Sequence, residues 1–216
     1  MLIHPWDAAV GDDEWRTWIA EGRDFGQLAV NGPAGRPPVV VPVHAAPEPG
    51  RLLVHLARPN PVWKVLSDGD PVLYTVIDDH AFVPGTLRAQ PGTDPRDGVP
   101  TSYYAAVQFT CRAEFVDDPT DKAELLNAQM AYFQSEEGYA PVTPDGPPYA
   151  RLLSGIRGLR LHVEEAAAKF KYDDRRPTEQ RAEIADGLVA RDPANGGAAR
   201  QQRRRLREIG DWGGRP

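Results

Sequence analysis

The chain has 216 residues, with 31 acidic against 25 basic side chains and a formal net charge of −6. That length suits one sizeable domain with appendages, and 41% apolar residues punctuated by 22 Pro and 20 Gly describe a folded chain of many short elements, not a disordered one. No apolar run approaches a membrane span, Met1-Leu2-Ile3-His4-Pro5 lacks the character of a signal peptide, and the lone Cys111 excludes internal disulfides and thiolate-cluster metal sites, so a cytoplasmic protein is expected.

Asp12-Asp13-Glu14 opens a short helix with Asp12 as N-cap, and its Trp15, Trp18 and Ile19 share a face. Residues 25–30 read as a strand, Asn31 to Arg36 as a turn and Pro38 to His44 as the returning strand; Pro42 within it marks an edge or a bulge. A loop over Ala45 to Gly50 then leads into a strand over Leu52 to Leu56, which completes a three-stranded meander. Pro71 to Ile77 is a strand, Asp78-Asp79 a tight turn and His80 to Pro84 a shorter strand. Residues 85–100 lack periodicity and form a loop long enough to lie over a site. Thr101 to Phe115 alternates cleanly, with Tyr103, Ala105, Val107, Phe109, Cys111 and Ala113 on one face; Cys111 is a core residue there. Asp118-Pro119-Thr120-Asp121 starts a helix that runs to about Glu137. A helical turn over Arg151 to Ser154, strands over Gly158 to Glu164 and Ala166 to Tyr172, and helices over Thr178 to Ala190 and Ala198 to Glu208 complete the chain. His162 faces outward.

About seven short strands with one long helix and a helical C-terminus predict a mainly β fold, a small antiparallel barrel with helical additions. Residues 1–174 form the barrel and 175–216 a helical extension packed on it. No Gly-rich strand-to-helix loop, Walker sequence, paired-Cys motif, His-Glu-x-x-His sequence or serine elbow occurs, which removes dinucleotide, nucleotide-triphosphate and common hydrolase chemistry. The extension holds ten arginines against six acids. Its Arg200 to Arg207 run reads as a solvated helix face, and nucleic acid is not an expected partner.

The densest stretch is His55-Leu56-Ala57-Arg58-Pro59-Asn60-Pro61-Val62-Trp63-Lys64. A strand ends near His55, two prolines stiffen the turn, and Pro61 starts a short helix that carries Trp63 and Lys64 inward. Arg58 and Lys64 suit a phosphate or propionate and the indole suits a flat ring; equally, Arg58 can pair with a surface carboxylate.

Three segments, His55 to Trp63, Gly98 to Val107, and Gly155 to Leu159 followed by Lys169-Phe170-Lys171, resemble the PaiB-type proteins, usually named FMN-binding negative transcriptional regulators. The resemblance implies a split β-barrel of the FMN-binding type, normally a homodimer with cofactor sites at the subunit interface. Arg58, Lys64 and Lys169 or Lys171 would hold the cofactor's acidic arms, with Trp63 beside them and hydroxyls from Thr101 and Ser102. Where many relatives carry Lys-Leu-Ser-Gln-Asn and Thr-His-Leu-Pro runs, this chain has Lys169 to Asp174 and Val39 to Pro42. That departure and the Arg-rich composition look closer to the piperazate synthases, which share the scaffold, bind heme b and close N5-hydroxy-L-ornithine to L-piperazic acid. On that branch His55 is the first candidate iron ligand, His44 the second and His80 the third, and the general base is Tyr103, Tyr104, Lys169 or a carboxylate of the 85–100 loop. The alternative is an FMN-binding protein or regulator, in which the same basic residues hold the FMN phosphate.

Overall fold

The computed structural model describes residues 1–134, 136 and 138–212. Among them are seven strands, β1 (Phe25–Val30), β2 (Val39–His44), β3 (Ala46–Glu48), β4 (Arg51–Ala57), β5 (Pro71–Val83), β6 (Thr101–Val116) and β7 (Ile156–Lys171), in one sheet of order β2-β1-β5-β6-β7-β4-β3. The helices are α1 (Asp12–Ala20), α2 (Pro119–Phe133), α3 (Ala150–Leu153), α4 (Thr178–Arg191) and α5 (Gly196–Ile209). The chain divides into two compact units. One comprises Met1–Glu21, Ile77–Val107 and the chain from Ala167 onward; the other comprises Gly22–Val76 and Gln108–Ala166.

In the second unit, β1 pairs antiparallel with β2 and with β5. Pro42 faces Gln27 on the edge strand β2, the position in a sheet that tolerates a proline. The expected meander does not form. Residues 46–48 are a strand rather than loop, and Gly50, at φ +76°, turns it into β4, so β4 pairs with β3 and β7 instead of β2. Leu52, Leu53, Val54 and Leu56 are buried while His55 is exposed. Leu53 packs with Ala46, Val116 and Leu125 of α2. That helix starts as its sequence dictates: Asp118 accepts from the Thr120 and Asp121 amides and Pro119 takes the first helical position. It ends at Phe133; the expected end at Glu137 lies outside the described residues. Cys111 is fully buried, and desolvation pushes its thiol up to about 12.

In the first unit, α1 begins at Asp12 itself, with Gly11 in the cap position, so Asp12 is not the N-cap; its carboxylate instead meets the Trp15 indole and Arg16. Trp18 is buried edge-on to Phe170, centroids 6.0 Å apart, and donates to Asp79 at 2.9 Å. Asp79 has φ +50° yet does not end the strand: the expected turn at Asp78-Asp79 is a kink within a continuous β5. Likewise the two expected strands after Gly158 are one, β7. The Arg200 to Arg207 run is only in part the expected solvated face: Arg200 and Arg207 are exposed, but the arginines between them turn to carboxylates. Arg205 is fully buried between Asp174 and Glu14, Arg204 reaches Glu14 and Glu208, and Arg203 reaches Asp186. Among the described residues, no helix is long and apolar enough to cross a membrane.

Candidate functional site

The side chains singled out in the sequence fall into two groups, one in each unit. In the second unit, β4 presents His55 and α2 presents Leu125, Gln129 and Phe133 at helical spacing. His55 Nδ1 lies 2.6 Å from Gln129 Oε1, and the Gln129 amide nitrogen donates to the Leu53 carbonyl at 2.9 Å. His55 and Gln129 line a cavity of about 310 Å³ whose other walls are mostly apolar, Met130, Phe133, Leu152 and Ile156 among them. Its size is at the low end of small-molecule sites. His44, 59% exposed in its side chain, meets Asp24 through Nδ1 at 2.9 Å, and its ring lies edge-on to Phe133 with centroids 5.4 Å apart. The first two candidate ligands thus flank one stretch of α2. His80 is exposed on β5.

The turn after β4 is as stiff as its prolines imply: Asn60 accepts from the Val62 amide and Pro61–Lys64 is a 3-10 turn. Its charges are arranged otherwise than an inward-facing anion site requires. Arg58 donates to the Ser154 carbonyl and to Asp117, the carboxylate pairing that its sequence also allowed. Trp63 donates to the Ala57 carbonyl and lies edge-on to Phe115, with Arg157 over its ring. Lys64 is exposed rather than turned inward. The Arg157 guanidinium, with Arg58 beside it, holds the Asp117 carboxyl below its ordinary range.

In the first unit, β6 and β7 bring together Thr101, Tyr104, Lys169 and Lys171. Lys171 Nζ donates to Thr101 Oγ1 at 2.8 Å, and the ammonium groups of Lys169 and Lys171 lie 5.6 and 5.9 Å from the Tyr104 ring centroid. Lys169 is buried, donating to the Leu2 carbonyl at 2.9 Å with Asp7 at 3.7 Å. Desolvation raises the Asp7 carboxyl, and Lys169 opposes the rise. Ser102 is exposed. Tyr103 is fully buried; its hydroxyl donates to Asp173 and accepts from Gln202, and burial drives its acidity far below that of an ordinary phenol. Among the described residues, no three His, Cys, Asp or Glu side chains converge as a metal site.

Sequence reasoning missed the α2 and α3 wall: Gln129, Met130, Phe133 and Leu152. One signal was available. A lone amide interrupts the run Leu125, Gln129, Phe133 at every fourth residue, the spacing of a single helix face.

A mostly antiparallel seven-stranded sheet with five helices is the fold that two solved split-barrel structures share. The structure of the flavocytochrome Anf3 from Azotobacter vinelandii matches at a TM-score of 0.55 and 17% identity over 77% of this chain and 70% of that one. The FAD and heme binding protein from Mycobacterium smegmatis matches at 0.56 and 13% over 76% and 73%. Residues 1–165 match the family described as the putative FMN-binding domain, and the chain belongs to that family. No curated protein sequence matches it.

Proposed function

We propose that this chain binds heme b against the apolar wall of α2 and α3, with His55 as the residue that would hold its iron, and works as a piperazate synthase-like cyclase on N5-hydroxy-L-ornithine. The observation that carries the reading is an imidazole lining an apolar cavity with its other ring nitrogen already engaged by a buried amide. Apolar walls with aromatic Phe133 and Tyr149 suit a flat macrocycle. The names of the two structural neighbours, a flavocytochrome and an FAD and heme binding protein, support a cofactor of that kind on this scaffold.

When bound, heme would supply a Lewis-acidic iron that polarises the hydroxylamine oxygen. The overall change balances without an oxidant: the α-nitrogen bonds to N5, the N5–O bond breaks, and the hydroxyl departs as water with a proton from the amine. Of the candidate bases, the Tyr103 hydroxyl is committed to Asp173 and Gln202, which leaves Tyr104, Lys169 or a carboxylate of the 85–100 loop. A homodimer, with residues 1–174 as the cofactor-binding part and 175–216 as the extension, completes the proposal.

Family membership over residues 1–165 favours a second reading, FMN binding, in which the Lys171 and Thr101 pair meets the phosphate and no histidine is special. The absorption spectrum of the purified protein separates the two: a Soret band supports heme and paired flavin bands support FMN. With heme present, His55→Ala should shift or abolish the Soret band, and N5-hydroxy-L-ornithine should be converted with loss of one water. An unaltered band in His55→Ala would remove His55 as the ligand.

A further inference from the structure

We infer that Gln129 is the positioning residue that holds the neutral form of His55 in a single tautomer, Nδ1 carrying the hydrogen and Nε2 the lone pair, before any cofactor arrives. The inference rests on the heme reading for its purpose but on geometry for its content.

Gly158 faces His55 across the β4 and β7 pair, and a Cβ there would meet Leu125 Cδ1 and Val116 Cβ at 3.0 Å. The missing side chain lets α2 lie close to the strands, and Gln129 follows Leu125 by one turn. Gln129 is buried, so both ends of its amide need partners. Its nitrogen is spent on the Leu53 carbonyl, an atom that can only accept. The end that faces His55 is therefore the amide oxygen, 2.6 Å from Nδ1, and since that oxygen cannot donate, Nδ1 carries the hydrogen. An amide in this place also differs from a carboxylate. It orients the imidazole without drawing it toward imidazolate, which keeps a bound iron a good electron acceptor, as a Lewis-acid reaction requires.

Two variants and two readouts test this. In the cofactor-free protein, the ring nitrogen shifts of His55 should report the Nδ1–H tautomer in the wild type and in Gln129→Glu, which keeps the acceptor, and a shift toward Nε2–H in Gln129→Met. Hemin titration, followed at the Soret band, should show Gln129→Met weakened by about 10- to 100-fold. Gln129→Glu should bind hemin but with a lowered iron reduction potential. A Gln129→Met protein that keeps the wild-type tautomer and hemin affinity would overturn the inference; so would an Nε2–H tautomer in wild type or Gln129→Glu, which decides the matter even if the Met variant does not fold. If wild type fails to bind hemin while the tautomer follows residue 129 as stated, the heme reading fails and the positioning role stands.

Discussion

Arg58, Arg157 and Asp117 form one cluster, with the carboxylate accepting from both guanidiniums. Because the folded-state pKa of Asp117 lies below the unfolded value of about 3.9, its contribution is complete above that pH and disappears as pH falls through the folded value. The carboxylate is 44% exposed, so solvent limits the effect to roughly 1 kcal/mol or less. Asp117→Asn should accordingly lower Tm by a few degrees at pH 7 and by progressively less as pH falls below about 3.9; an equal loss throughout would mean the charge is not responsible. At this scale the sequence is half legible. Alternation correctly buries Cys111, which follows from the strand period, but it puts His55 on the face of the buried Leu53, and His55 is exposed. The acceptor of Arg58 and the partner of His55 lie 59 and 74 residues away, distances at which local chemistry specifies nothing.

Elements were readable where their ends carry chemical signals. Asp118 and Pro119 mark the start of α2, and the hairpin of β1 and β2 follows from its turn residues. Signals that normally break strands misled where tertiary contacts override them. Asp79 adopts a positive φ inside β5 because its side chain is held by Trp18 and Arg200. The pairing of β4 with β7 joins segments about a hundred residues apart, so the predicted meander was the reasonable local choice and the wrong one. Gly158 belongs to this scale. Gly158→Ala should cost about 1–3 kcal/mol in urea unfolding, because Val116 and Leu125 must give way on two sides. A neutral result would show that α2 can shift outward freely.

For the whole molecule, the consequential surprise is that the basic C-terminal helix is internal wiring. Arg205 is fully buried with Asp174 and Glu14 as partners, and Arg181 reaches Asp174 from α4. Removing one member strands buried charge. Arg205→Met should therefore destabilise by about 3–5 kcal/mol, measured by denaturant midpoint, and a loss below about 1 kcal/mol would show that the network is solvated.

The same wiring sets a timetable for synthesis. The second unit draws on nothing beyond residue 166, whereas the first joins Glu14 to Arg204 and Arg205. On the ribosome, then, the β4, α2 and β7 neighbourhood that holds His55 can close early, while Glu14 waits for Arg204 and Arg205 until α5 emerges and Asp174 has Arg181 alone. A chain stopped before residue 204 would present a finished imidazole pocket while Glu14 still lacks both of its arginines.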